Sequence, residues 1–328
     1  MLERIRNKFR LEKRVREGRI KAQSSSARVA LFHDFAPPPT GGGHQFLRAL
    51  KAEWEREGID VAVNCLPDSA DAVLINSYNF TPALFRRLVK REVRVVHRVD
   101  GPLQTYRGFD DGTDSVISRL NRDFAKETIF QSEFSRLENR RLGLIEGNGP
   151  VITNAADRGI FLPRSGEAPS SSRPLRVVAA SWSDNPNKGL DVFRWLDANL
   201  DQSRFEFTFV GRAQMKFENS KHVPPVSSVE LARYLREADV FLTASKDDPC
   251  SNSVVEALTV GLPCVYRRSG GHPELIGGAG IGFDFPEEIP AALETIAEDW
   301  KLFADRIEVP SISEIAGAYL KVLEVRRA

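Results

Sequence analysis

Short apolar, β-branched runs alternate with amphipathic stretches along almost the whole chain, and few architectures accept that order. ARVALFH (27–33), IDVAVNC, ADAVLINS, VRVVHRV (93–99), ETIFQS and PVITN read as buried strands. Between them, HQFLRALKAEWEREG (44–58) keeps apolar residues at helical spacing and stops at Gly58; TPALFRRLVKRE, GTDSVISRLNRDFAK and SEFSRLENRRLG also read as helices. Strands of this kind separated by helices predict a parallel sheet covered on both faces. RSGEAPSSSRP (164–174) then interrupts the pattern with Ser, Pro and Gly and no apolar period. Beyond it the alternation restarts, with LRVVAAS, RFEFTFVG, DVFLTAS, PCVYR and GIGFDF as strands. LDVFRWLDANL, VSSVELARYLREA, SVVEALTVG and HPELI read as helices, as does the chain from Glu287 onward. The expected division is a basic helical segment over 1–26, a Rossmann-like domain over 27–163, a linker over 164–174, a second Rossmann-like domain over 175–300, and helices over 301–328 that can cross back to the first domain. The 328 residues suit two cores better than one. In doubly wound sheets ligands sit beyond the carboxyl ends of the strands, so the cleft between two such domains is the expected site.

Charge and cysteine content exclude several classes. Lys and Arg number 46 against 45 Asp and Glu, so nothing global directs the chain to nucleic acid. Three cysteines (Cys65, Cys250, Cys264) without a C-x-x-C, and five scattered histidines, argue against a disulfide framework or a zinc site and for a reducing cytosol. No apolar run approaches the ~18 residues that cross a bilayer, and the basic N-terminus lacks the apolar core of a secretory signal. That N-terminus is locally unusual. Residues 1–21 hold nine Lys/Arg against three Glu, with Leu2, Ile5 and Phe9 at helical spacing. Two readings fit: a basic helix lying on an anionic membrane, or a solvated helix packed on its own protein by that stripe.

Four strand-end loops carry polar or glycine-rich runs. Gly41, Gly42 and Gly43 follow the first strand and open the first helix, where glycine lets a backbone approach an anion. The run is neither G-x-G-x-x-G, because Phe46 stands at the third glycine, nor a Walker A loop. His97 and Asp100 end the strand VRVVHRV in HRVDGP; they either face the cleft, or fill the core edge and cap the turn. Lys188, in SWSDNPNKGLD, stands at a helix start against the macrodipole, which suits a neighbouring phosphate; a solvent-facing lysine is the plain alternative. In DDPCSNSVVEALTVG, Ser253-x-x-Glu256 reads as a capping box. Asp248 and the Cys250-Ser251-Asn252 run are left over, and free amides with hydroxyls at a helix start suit a diphosphate.

From Asp248 to Glu256, through AlaLeuThrValGlyLeuProCysVal and SerGlyGlyHisProGluLeu (269–275), the chain resembles the retaining glycosyltransferases of family 4, whose pattern is Glu-x7-Glu, Ala-x3-Gly-x-Pro-Val and Gly-Gly-x-x-Glu. Lys188-Gly189, Gly41 to Gly43, HRVDGP and VITNAADRGIFLP are similar to further family segments, and HRVDGPLQTYRG with DPCSNS resembles enzymes of cell-surface polysaccharides. The resemblance implies a GT-B fold, with two Rossmann-like doubly wound domains facing each other across a cleft. It implies a metal-independent retaining enzyme with no cofactor, a nucleotide-sugar donor, and a glycan or lipid-linked acceptor in envelope or capsule synthesis. The basic residues 1–26, which lie outside the resemblance, fit a lipid-linked acceptor and a cytoplasmic enzyme that contacts the inner membrane face. By the same transfer, Glu256 holds the ribose, while Lys188 and the amides of Asn252, Ser253 and Val254 bind the diphosphate. Asp248 and His97 touch the donor sugar, Asp100 orients the acceptor, and Gly41–Gly43 approach the diphosphate from the first domain. The chain departs from the pattern in two places: Asp248 replaces a Glu, and Ser183 stands where the family usually has Arg, with Arg212 and Arg267 as possible substitutes. A nucleotide-sugar epimerase of the same fold and a non-catalytic nucleotide-sugar-binding protein are the competing readings.

Overall fold

A computed structural model describes residues 2–37, 42–89, 92–165, 168–183 and 185–327, with side chains from Arg6 onward. Strands β1 (Val29–Phe32), β2 (Val61–Val63), β3 (Ala72–Asn76), β4 (Arg94–Val99) and β5 (Glu127–Phe130) form one parallel sheet in the order β2-β1-β3-β4-β5. Strands β6 (Leu175–Ser181), β7 (Phe205–Gly211), β8 (Lys221–Val223), β9 (Val240–Thr243), β10 (Cys264–Arg267) and β11 (Gly280–Phe283) form a second, in the order β11-β10-β9-β6-β7-β8. Every pairing in both sheets is parallel. The direction of winding reverses between β1 and β3 in the first sheet and between β6 and β9 in the second. Loops leaving those strands diverge and open a crevice. The segment PVITN makes only an isolated bridge, Phe130 to Val151, because the chain there is already leaving the first sheet.

The helices are α1 (Leu2–Gln23), α2 (Gly42–Arg56), α3 (Pro82–Leu88), α4 (Leu103–Arg107), α5 (Thr113–Phe124), α6 (Glu133–Arg141), α7 (Leu190–Asn199), α8 (Ser228–Glu237), α9 (Asn252–Val260), α10 (His272–Ile276), α11 (Ile289–Glu298), α12 (Trp300–Ala304) and α13 (Ile312–Leu323). α8 and α13 open on capping boxes, Ser227 with Glu230 and Ser311 with Glu314, which satisfy helix-end amides reciprocally. α13 returns to the first domain. Its Ile315, Ala316, Tyr319, Leu320 and Leu323 pack with Leu31, Leu47 and Trp54, and the Trp54 indole donates to the Ala316 carbonyl at 3.1 Å.

The chain passes between the two cores earlier than its composition suggests. Ile152 and Ala155 belong to the first core, whereas Ala156 and Phe161 belong to the second. The described residues of the Ser/Pro-rich stretch, 164–165 and 168–174, therefore belong to an excursion on the second domain. Both its ends are tied to the buried Asp239: Arg173 by two bonds of 2.6 and 2.9 Å, Arg164 at 3.3 Å. A fully buried carboxylate must be paired, and these guanidiniums pair it.

α1 also departs from expectation. It docks on α3 and the β2 loop through Leu11, Val15, Gly18 and Ala22, not through the stripe that holds Phe9. Phe9 is 73% exposed, and the side chains of Leu2 and Ile5 lie outside the described ones. Among the described residues no helix is long and apolar enough to cross a membrane.

Candidate functional site

The facing strand ends enclose a cavity of about 260 Å³. The start of α2, the β4–α4 turn, the β6–α7 loop and the β9–α9 loop all line it, so the polar loops of the sequence converge. A second cavity of about 320 Å³ adjoins it, and Gln45, Asn252 and Glu256 stand on the walls of both.

Lys188 and Asp248, sixty residues apart, meet here. The ammonium donates to Asp248 Oδ2 at 2.7 Å, and both side chains are largely shielded from water. Burial opposes both charges. For Lys188, Asp248 and Tyr106 outweigh burial and hold the amine above the usual lysine range; the Tyr106 ring lies 5.1 Å from Nζ. For Asp248, burial is outweighed by Lys188, then His272, and the Cys250 amide at 3.2 Å, so the carboxyl stays below its usual range. Two glycines in the left-handed region make this meeting possible. At Gly189 (φ +81°) a Cβ would sit 2.4 Å from the Ala244 carbonyl, and at Gly270 (φ +64°) one would sit 2.4 Å from the Asp248 carbonyl. The loops after β6, β9 and β10 can therefore close on one another.

The capping box expected at Ser253 and Glu256 does not form. The cap is Ser251, two residues before Ser253, so α9 begins at Asn252, and the first backbone bond runs from the Val255 N–H to the Ser251 carbonyl. That shift moves Glu256 off the helix end and points its role elsewhere. It is 7% exposed, and among the described residues no hydrogen bond or ion pair reaches its carboxyl group. Burial alone pushes it up to about 8. Asn252, Ser253 and Val254 occupy the first turn, whose amides have no intrahelical acceptor. The side chains of Asn252 and Ser253 line the cavity, whereas Val254 packs into the core.

α2 brings its own first turn to the same place. A Cβ on Gly42 would lie 2.3 Å from the Asn252 Cβ, while one on Gly43 would meet open space. Both glycines line the cavity; Gly41 lies outside the described residues. Two helix N-termini, one from each domain, thus converge, and each favours an anion.

Strand β4 corrects the reading of HRVDGP. His97 is fully buried with Val95 and Val99 on the α5 side of the sheet. Its Nε2 donates to the Ser77 carbonyl at 3.0 Å and its Nδ1 accepts from Asn121 at 3.3 Å, so both nitrogens are occupied. Burial lowers it to about 4, and it does not line the cavity. The residue that does is Arg98, on the opposite face, where side-chain alternation along a strand places it. Its guanidinium is 1% exposed and donates to Asn76 (2.5 Å), Asn154 (2.7 Å) and Asp100 (3.1 Å) over the Phe46 ring. Asp100 does line the cavity; burial raises its carboxyl against the opposing pull of Arg98. Sequence reading missed Arg98, although strict alternation from Val96 would have found it. Ser183 and Trp182 line the cavity; Arg212 and Arg267 do not.

The domains are held together around this space by polar contacts. Glu274 of α10 accepts the Glu133 and Phe134 amides at the start of α6, at 2.7 and 3.0 Å. Asn185 and Asn187, just before Lys188, both donate to the Tyr106 carbonyl. Asn154 donates to Asn252 at 3.0 Å.

The family model described as "Glycosyl transferases group 1" matches residues 174–299. The amylovoran biosynthesis glycosyltransferase AmsK of Erwinia amylovora is 28% identical over 269 residues, covering 72% of this chain. The chain spans 62% of the length of that relative. Among solved structures, HepE of Anabaena in complex with UDP and glucose has a TM-score of 0.66 at 17% identity, covering 90% of this chain and 99% of that one. AviGT4, a glycosyltransferase involved in avilamycin A biosynthesis, has a TM-score of 0.60 at 15% identity, covering 90% and 96%. Sucrose-phosphate synthase from Thermosynechococcus elongatus gives 0.66 at 13% identity, covering 91% and 95%. The fold is the two-domain GT-B fold.

Proposed function

We propose that this chain is a glycosyltransferase that moves a sugar from a nucleoside diphosphate to a glycan or lipid-linked acceptor of a cell-envelope polysaccharide, retaining the anomeric configuration. The observation that carries the reading is Glu256: a buried carboxyl group with no hydrogen-bond or ion-pair partner among the described residues, on the wall shared by two cavities, beside two helix N-termini and Lys188. Buried polar groups are otherwise paired, and a ribose diol supplies the missing donors. The diphosphate then lies between the first turns of α2 and α9 and draws Lys188 away from Asp248. Asp248, released, accepts hydroxyls of the donor sugar. When the bond between the anomeric carbon and the phosphate oxygen breaks, its electron pair leaves with the nucleoside diphosphate. Lys188 and the helix amides, already in place, stabilise that charge, and the reading assigns this task to them and to no metal ion. An acceptor hydroxyl attacks the same face, its proton passing to the departing phosphate oxygen. Asp100, held by Arg98, orients that hydroxyl. The reading locates this work in the cytoplasm.

A thermal-shift panel of UDP-, GDP-, ADP- and dTDP-sugars identifies the donor, since a bound ligand raises the melting temperature by mass action. Release of free nucleoside diphosphate in the presence of acceptor then measures turnover. Lys188→Ala should lower it by at least about a hundredfold, and Asp248→Glu should keep more activity than Asp248→Asn. Full activity in Lys188→Ala would sink the assignment. Donor binding without turnover across an acceptor panel would favour a non-catalytic binding protein.

A further inference from the structure

We propose that the outward face of α1 is a docking surface for an anionic lipid bilayer, with Phe9 and Ile20 as its inserting residues. This stands apart from the reading of the cavity. α1 has two faces of different use. One is committed to the protein: Val15 is buried, Gly18 lies so close to Leu88 and the Asn64 carbonyl that a Cβ would meet Leu88 at 2.9 Å, and Arg14 reaches inward to Thr81 and Asp34. Arg87 clasps Glu12 with two further bonds. The register of the helix is therefore fixed, and so is what the opposite face shows.

Phe9 and Ile20 lie eleven residues apart, about three helical turns, so they project in one direction. That direction is opposite the docking stripe, and the two are 73% and 55% exposed. Lys13 and Arg16 flank them on the same side. All side chains from Arg6 to Arg10 are exposed, so this part of the helix has no tertiary cover. A helical segment without packing is marginal in water, and this one presents Phe9 and Ile20 to solvent beside the exposed Lys13 and Arg16. Charge selects among occupants. Anionic headgroups complement Lys13 and Arg16. Glu12 and Glu17 border this side: Glu17 lies 3.9 Å from Lys13, with both side chains largely in solvent, and Glu12 is held by Arg87.

The test is co-sedimentation of the full chain with vesicles of phosphatidylcholine alone or with phosphatidylglycerol added. Partitioning should require the anionic lipid and fall about tenfold or more when salt is raised from about 0.1 to 0.5 M, as screening demands. Phe9→Ser combined with Ile20→Ser keeps every charge and should lower partitioning about tenfold or more at an unchanged melting temperature, since both side chains are in water without lipid. Partitioning that is absent, equal on neutral vesicles, or unaffected by this variant overturns the proposal. A concentration-dependent dimer that the same variant abolishes would identify a second copy as the occupant and overturn it equally.

Discussion

Replacing Glu256 by Gln should stabilise the protein in alkaline solution while destroying its grip on the nucleotide. Burial raises this carboxyl from an ordinary 4.5 to about 8, with no compensating partner among the described residues. Each pH unit between those values corresponds to about 1.4 kcal/mol. The sign follows from proton linkage. An acid whose pKa is raised by folding binds more protons folded than unfolded, so its contribution is fully present below pH 4.5 and is lost as pH climbs to about 8. At pH 5 the wild-type protein has lost under about 1 kcal/mol, and at pH 8 about 4 kcal/mol. A neutral amide of the same shape carries none of this pH dependence. For a domain of this size, about 2–4 °C accompanies each kcal/mol. Relative to wild type, the Glu256→Gln variant should therefore gain on the order of 10 °C between pH 5 and pH 8. The measurement is a thermal melt of both proteins from pH 5 to pH 8, with and without nucleoside diphosphate. A wild-type-minus-variant difference that stays flat across that range refutes the claim that the carboxyl is desolvated and unpaired. Unchanged nucleotide affinity in Glu256→Gln refutes its place at the ribose, whatever the melts show.

Two further perturbations probe how the halves meet. Gly42→Ala inserts a Cβ 2.3 Å from Asn252; turnover should fall about tenfold or more through misplacement of the two first turns, with the melting temperature nearly unchanged, and wild-type turnover would argue against a closed working state. Glu274→Ala removes the acceptor of the Glu133 and Phe134 amides; the radius of gyration from small-angle scattering should increase, and Glu274→Gln, which has one acceptor oxygen where two are used, should recover only part of the loss. An unchanged radius in Glu274→Ala would show that these bonds do not hold the domains together.

Much of the lining of the candidate cavity was legible before any coordinates. Gly42, Gly43, Lys188, Asp248, Asn252, Ser253 and Glu256 all reached the cavity because glycine and polar runs at strand ends are where a doubly wound sheet keeps its ligand. The failures have local causes. His97 and Asp100 are three residues apart on or just beyond one strand, and side chains of opposite parity cannot share a face; Arg98 and Asp100 can. The cap at α9 moved by two residues because Ser251 and Ser253 are chemically equivalent candidates, and only packing of the Asp248–Cys250 turn chose between them.

The sequence by itself determined the two alternating halves, the parallel sheets and the loops that bear polar groups, because strand and helix periods are local and survive in any context. It did not determine where the chain crosses between cores, since the Ser/Pro-rich stretch is pinned by Asp239 from a distant strand end. Nor did it determine which side of α1 meets the protein, because Phe9 and Val15 are both apolar and only the surface of α3 and the β2 loop distinguishes them. Most of all, the pairing of Lys188 with Asp248 and the isolation of Glu256 exist only when β6 and β9 lie side by side, and that adjacency is a property of the folded sheet.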